Sequence, residues 1–223
     1  MFYFHQTRKP DFKNIKKIDY DEYWRKRGFE MRLKLMEREV IFFDWIKDNS
    51  RVLDVGCGNS RLLYELKTKK NCGVTGIDIS PLVTDGLSKL GIKSRTSDIQ
   101  STSFQIEENY DYIIASETLE HLVNPEDLLA KLYSHTQYFV LSVPNSAFYR
   151  YRISLMFAGR FFTQWKYYPN EHLRYWSHTD FLDWLVAQNL EVVKNKASNG
   201  FELKDMWPNL FGHQICYLAK TRN

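Results

Sequence analysis

Three cysteines in 223 residues, Cys57, Cys72 and Cys216, are too few, and odd in number, for a disulfide framework. Their scarcity points to a reducing, cytoplasmic compartment. No apolar run approaches the roughly 20 residues that span a bilayer, so no membrane partner is expected. His5, Arg8 and Lys9 interrupt the first ten residues, which argues against the apolar stretch of a signal peptide. Repeats of about 20–50 residues and low-complexity tracts are missing too. Charge of one sign is absent from most of the chain. Residues 1–27 hold eight basic and four acidic side chains, the whole net charge of +4, and the rest is balanced. A uniformly basic nucleic-acid coat is therefore excluded, and nucleic acid is the disfavoured partner.

What is present is ordinary globular composition, 43% hydrophobic and 26% charged, with length for one large core. The chain divides by pattern into a basic arm, 1–27, and one domain, 28–223. From 20 to 47 the apolar residues Phe29, Leu33, Met36, Val40 and Phe43 recur at helical steps, predicting a helix. After Asn49-Ser50, short apolar runs alternate with helical stretches. Strands are expected at 51–55, 73–77, 92–95, 110–115, 137–143, 190–195 and 213–220. Helices are expected at 60–69, from Ser80-Pro81 to about Leu90, from Asn124-Pro125, and at 178–188, where Ser177 and Asp180 have capping-box spacing. Such alternation implies an α/β fold: a mostly parallel sheet with helices on both faces. Ligands bind such sheets beyond the carboxyl ends of the strands.

Chemistry-bearing residues collect at those ends. Asp54-Val55-Gly56-Cys57-Gly58 closes the first strand, and its glycines permit a sharp turn and close backbone approach to a ligand. Asp78 ends the second strand, where a carboxylate accepts from ribose hydroxyls. Asp98 follows the third. Arg61 stands where a dinucleotide fingerprint has its third glycine, which weakens a nicotinamide-dehydrogenase reading. Glu117, Glu120 and His121 follow the fourth strand and can converge on a hard divalent cation or serve acid–base chemistry, with the later His172.

Val-Leu-Asp-Val-Gly-Cys-Gly (52–58), Gly-Ile-Asp-Ile-Ser (76–80), Ser-Asp-Ile (97–99) and Tyr-Asp-Tyr-Ile-Ile-Ala-Ser-Glu-Thr-Leu-Glu-His-Leu (110–122) resemble the successive motifs of class I S-adenosylmethionine-dependent methyltransferases. The resemblance implies a Rossmann-like seven-stranded sheet and S-adenosylmethionine as cofactor. It implies that Gly56, Cys57 and Gly58 line the methionine part and that Asp54 supports the loop or meets the amino group through water. Asp78 would hold the ribose, Ile79 and Asp98-Ile99 would flank the adenine, and Ser116 and Glu117 would border the sulfonium. The segment 20–27 resembles a part that often folds over the cofactor in this family, with Tyr23 or Arg27 touching it.

The C-terminal part, with Leu141-Ser142-Val143-Pro144-Asn145, Arg152, Gly159-Arg160, Asn170, His172 and Asp180-Phe181, is similar to the methionine-biosynthesis protein W group. The spacing of Glu117, Glu120, His121 and His172 resembles metal-using O-methyltransferases, those of ubiquinone biosynthesis and of small-RNA 3′ ends. That likeness implies magnesium or manganese on these four residues. In its absence Glu117, His121 or His172 would be the catalytic groups.

Residues 148–176 form an aromatic insert after the fifth strand, with eleven aromatic, five basic and one acidic side chain. This is the expected substrate lid. Most of its rings are expected to build a small core, leaving Arg150, Arg152 and Arg160 for an anionic or ring-bearing acceptor. The expected activity is methyl transfer to a small molecule, O-methylation foremost, by a monomer or homodimer. RNA 2′-O-methylation and a non-catalytic regulatory partner of a biosynthetic enzyme are the alternatives.

Overall fold

The computed structural model describes residues 18–27, 32–161 and 171–222. Several expectations lie outside these: most of the basic arm's charge, Phe29, the Arg27 side chain, and Phe162, Trp165, Lys166, Tyr167, Tyr168 and Asn170 of the insert. Seven strands form one sheet: β1 (Arg51–Val55), β2 (Gly73–Asp78), β3 (Lys93–Thr96), β4 (Tyr110–Ser116), β5 (Thr136–Pro144), β6 (Leu190–Gly200) and β7 (Gly212–Thr221). Their order is β3-β2-β1-β4-β5-β7-β6, and β7 runs antiparallel to both its neighbours. The remaining pairs are parallel.

Alternation along each strand splits the core between two faces. Val52, Val74, Ile114 and Val140 point to one side, and Leu53, Ile77, Ile113 and Phe139 to the other. Helices α2 (Glu37–Trp45), α3 (Arg61–Lys70) and α4 (Pro81–Lys89) cover the first face. The second carries α5 (Pro125–Leu132) and α7 (His178–Ala187). Ends follow local chemistry: α3 stops at Asn71 in the left-handed region (φ 53°), and α4 starts on Pro81. At α7, Asp180 N–H donates to Ser177 Oγ (3.0 Å) and Ser177 N–H to Asp180 Oδ2 (3.2 Å), so aspartate serves in the capping box. Among the described residues no helix is long and apolar enough to cross a membrane.

The N-terminal helix expected over 20–47 is two helices. One is α1 (Tyr20–Arg27), and the chain is irregular from Arg32 to Met36 before α2. Glu39 explains the new start. Its Oε2 accepts the Met36 N–H (2.7 Å), and its carboxylate pairs with Arg32. Leu33 is 91% exposed, and Ile41 and Phe42 fill the core together with Ile46, which continues the apolar period.

Sheet order sets the location of the site. The chain winds β1, β2, β3 outward, then returns to place β4 on the other side of β1. The crevice at this reversal opens at the carboxyl ends of β1 and β4. After β5, buried Asn145 ties the chain down: its Nδ2 donates to the carbonyls of Pro208, Asn209 and Gly212. In the insert, α6 (Tyr149–Ala158) buries Phe148 and Tyr151 against His213, while Phe157 is 76% exposed.

Candidate functional site

The reversal point holds a cavity of about 670 Å³, within the range of small-molecule sites. All expected cofactor residues line it: Asp54, Gly56, Cys57, Gly58, Asp78, Ile79, Asp98, Ile99 and Ser116. So do Glu117, Glu120, His121 and His172.

Its floor is the glycine turn. Gly56 (φ +71°) and Gly58 (φ +53°) adopt left-handed conformations that L side chains resist. The N–H groups of Gly56 and Cys57 both donate to the Ile77 carbonyl (2.8 and 3.1 Å). Asp78 ties the two halves: Oδ2 accepts from Gly58 N–H and Oδ1 from Ser80 N–H, each at 2.9 Å. Burial raises the Asp78 carboxyl above its ordinary range, and these backbone donors oppose the rise. Asp54 is fully enclosed, and burial, then Glu39 and Asp78, push its carboxyl well up. Burial likewise raises the Cys57 thiol well above its usual value, so it is inert wall material.

The roof is α1. The Trp24 indole lies so close to Gly58 that a Cβ there would sit 2.7 Å from its Cζ2. Asp21 accepts from the Ser80 hydroxyl, and Asp19 Oδ1 caps the helix through the N–H groups of Asp21 and Glu22. The Tyr20 phenol is pushed up to about 12 by burial and by the carboxylates Glu171, Asp78, Glu120 and Asp98. Tyr20, Tyr23 and Trp24 all line the cavity.

The far end is acidic. Glu117 adopts φ +53°, a costly conformation for a non-glycine residue, and its Oε2 accepts from Gln214 Nε2 (2.6 Å). Burial raises its carboxyl, and Arg38 opposes that. Glu120 is 1% exposed, and both its carboxylate oxygens lack a hydrogen-bond partner. Burial and then Glu117 hold its carboxyl well above the usual range. His121 Nδ1 lies 2.8 Å from the Glu171 carbonyl. A carbonyl only accepts, so Nδ1 carries the hydrogen, and in the neutral imidazole the lone pair is on Nε2. His172 meets His121 edge-on, centroids 4.7 Å apart, and burial followed by His121 lowers its imidazole to about 2.

One ligand atom each from Glu120, His121 and His172 lies within 4.8 Å of the others, a donor set that suits a divalent ion. Glu117 does not join them, a correction to the expected four-residue site. The backbone twist at Glu117 sends its carboxylate toward β7 and Gln214. The insert's arginines are also corrected: none of Arg150, Arg152 and Arg160 lines the cavity. Arg152 spends its guanidinium on the carbonyls of Ala147 and Asn209. Arg32, Arg38, Tyr20, Glu171 and Gln214 do line it and were not read as site residues. Arg38 lies on α2, and its Nε donates to Ser116 Oγ (3.1 Å).

His213, another wall residue, yields a stability prediction. Burial, then Arg150, depresses its imidazole to about 4, and Nε2 lies 2.7 Å from the Tyr151 hydroxyl. The unfolded chain takes this proton near pH 6.5, before the folded one does. Stability is therefore complete above pH 6.5 and drains as pH falls toward 4, by about 3 kcal/mol in all. Urea unfolding across that window should show this loss, and His213→Gln should flatten the slope relative to the parent. An unchanged slope would reject the assignment.

Curated proteins match part of the chain. An (S)-tetrahydroprotoberberine N-methyltransferase of Eschscholzia californica is 34% identical over 93 residues, 39% of this chain and 27% of that protein. A ubiquinone biosynthesis O-methyltransferase of Aeromonas salmonicida is 33% identical over 101 residues, covering 39% and 41% respectively. The chain thus spans well under half the length of these relatives. Among solved structures, Burkholderia thailandensis 1,6-didemethyltoxoflavin-N1-methyltransferase, with bound 1,6-didemethyltoxoflavin and S-adenosylhomocysteine, superposes with TM-score 0.61 at 16% identity. It covers 83% of this chain and 77% of that one. The family model described as methionine biosynthesis protein MetW matches residues 37–219, and the chain belongs to that family.

Proposed function

We propose that this chain transfers the methyl group of S-adenosylmethionine to a nucleophilic atom of a small molecule, with 28–223 as the catalytic domain and 148–176 as a substrate lid. The observation that carries the reading is Asp78. A buried carboxylate at the end of β2, bonded to the glycine-loop backbone, borders a cavity of cofactor size. In this reading Gly56, Cys57 and Gly58 pass the methionine part, and Asp78 takes the ribose hydroxyls. Ile79, Asp98 and Ile99 enclose the adenine, and Ser116 borders the sulfonium. Asp54 braces the loop. The relatives include both N- and O-methyltransferases, so methyl transfer to oxygen, the expectation from sequence, stands beside transfer to nitrogen.

Methyl transfer asks chiefly for in-line positioning of nucleophile and sulfonium. The acceptor's lone pair forms a bond to the methyl carbon, the carbon–sulfur bond breaks, and its electron pair neutralises the sulfonium. In this reading His121 Nε2 accepts the acceptor's proton. Calorimetry with S-adenosylhomocysteine, S-adenosylmethionine and NAD tests the reading: the sulfur ligands should bind and NAD should not. No heat with either sulfur ligand would sink it.

Arg38 and Arg32 are the lysine- or arginine-type cations among the described cavity residues, and Arg32 pairs with Glu39. Arg38 is thereby assigned to the cofactor's methionine carboxylate. Arg38→Ala should raise KM for S-adenosylmethionine by about 10–100-fold, the worth of one charge-assisted bond, with kcat little changed. A loss confined to kcat would reject this role.

A second reading places a divalent ion on Glu120, His121 and His172, favoured by their mutual distances. Such an ion would orient an acceptor oxygen and lower its pKa. Manganese titration, followed by calorimetry, distinguishes the two. Stoichiometric binding lost in His172→Ala would establish the metal, and no binding would leave methyl transfer to the protein groups alone.

A further inference from the structure

Resting on the methyl-transfer reading, we infer that the acceptor is a small-molecule amine, which enters as an ammonium ion and is seated against the Glu120 carboxylate. The cavity walls carry more carboxyl groups than cations. Among the described residues that line it, seven are acidic, and two, Arg32 and Arg38, are lysine- or arginine-type cations. Both cations lie on the segment around the start of α2. Arg32 pairs with Glu39, and Arg38 reaches Ser116 beside the sulfonium position. Glu120 and Glu171 sit at the other end, with neutral-capable imidazoles beside them.

Glu120 is the built feature of this pole. It is almost completely buried, it faces the cavity, and neither oxygen has a hydrogen-bond partner. The backbone that carries it is held in place. Its own carbonyl accepts the N–H groups of Leu173 (2.8 Å) and Arg174 (3.1 Å), pinning the turn Leu119–His121 against the chain that follows the insert. The ion-pair contact of Glu120 is His121 Nε2, 4.0 Å from Oε1, and a buried carboxylate without hydrogen bonds costs several kcal/mol, which a cation with N–H donors offsets through both its charge and its donors. An alcohol or phenol supplies one donor and no charge. An anion is repelled by the same walls. An ammonium group supplies both the charge and up to three donors. This reverses the expectation of an anionic acceptor, which rested on insert arginines that lie away from the cavity.

The chemistry balances without another reactant. The ammonium gives one proton to His121 Nε2, and the freed nitrogen lone pair bonds to the methyl carbon. The carbon–sulfur electron pair returns to sulfur, and the positive charge ends on the methylated nitrogen.

The test uses the full chain saturated with S-adenosylhomocysteine. Calorimetry compares benzylamine, phenethylamine and butylamine with alcohols and carboxylates of the same skeletons. At least one amine should bind ten times more tightly than its alcohol, and the carboxylates should not bind. Glu120→Gln, isosteric and uncharged, should reduce that preference below threefold while S-adenosylhomocysteine still binds. The inference is overturned by equal or no binding of amines and alcohols, by a preference that survives Glu120→Gln, or by amine binding that requires manganese. Failure of S-adenosylhomocysteine itself to bind would instead sink the methyl-transfer reading beneath it.

Discussion

Asp78→Ala is expected to weaken S-adenosylhomocysteine binding by at least a hundredfold. The wild-type carboxylate is buried and already accepts from Gly58 N–H and Ser80 N–H, which fixes both oxygens in place. Each oxygen keeps a second lone pair for a ribose hydroxyl. Two hydrogen bonds to a charged acceptor are together worth about 3–6 kcal/mol, and the first figure alone corresponds to more than a hundredfold. Alanine also strands the Gly58 and Ser80 donors and loosens the loop. Asp78→Asn separates the two effects: it keeps one acceptor oxygen, so its binding loss should be smaller than alanine's. Calorimetry reads both. A loss of tenfold or less in Asp78→Ala would mean that the ribose is held elsewhere.

The second large effect is steric. Gly56→Ala should destabilise the fold by about 3 kcal/mol and abolish measurable cofactor binding. At φ +71° alanine pays about 1–2 kcal/mol for the left-handed conformation alone. Its Cβ would also lie 2.7 Å from Thr118 Cγ2 and 2.9 Å from Thr118 Oγ1. Thr118 cannot retreat freely, because its hydroxyl is held between the carbonyls of Val55 (3.2 Å) and Ser116 (3.3 Å). Thr118→Ala removes the offending atoms. The double variant should therefore be more stable than the sum of the single losses by at least about 1 kcal/mol, the signature of a shared contact. Denaturant unfolding of the four proteins measures this directly. Strict additivity would show that the glycine is needed for φ alone.

Much of the frame was legible because its causes are local. Apolar runs marked the strands, and Ser80-Pro81, Asn124-Pro125 and Ser177-x-x-Asp180 marked helix starts, since caps depend on neighbours a few residues away. The N-terminal helix was misread for the converse reason. Leu33 continues an apolar period, but Glu39 draws the Met36 N–H and Arg32 to itself and starts a new helix. Periodicity carries no record of such a competitor. Glu117 was misplaced similarly. Spacing put it with Glu120 and His121, while its positive φ and the Gln214 amide, on a strand far along the chain, turned it aside.

By itself the sequence determined the alternating strands and helices, the glycine turn and the carboxylates at the strand ends, all consequences of short-range sterics and periodicity. The tertiary structure alone decided the roof and the charge of the site. It laid Trp24 over the glycine loop and brought Arg38 to Ser116. It sealed the Glu120 carboxylate without a hydrogen bond and kept the insert's arginines out. Those placements join residues as many as 78 positions apart, and they follow from the order in which the strands and the N-terminal helices pack on the sheet, which no local pattern encodes.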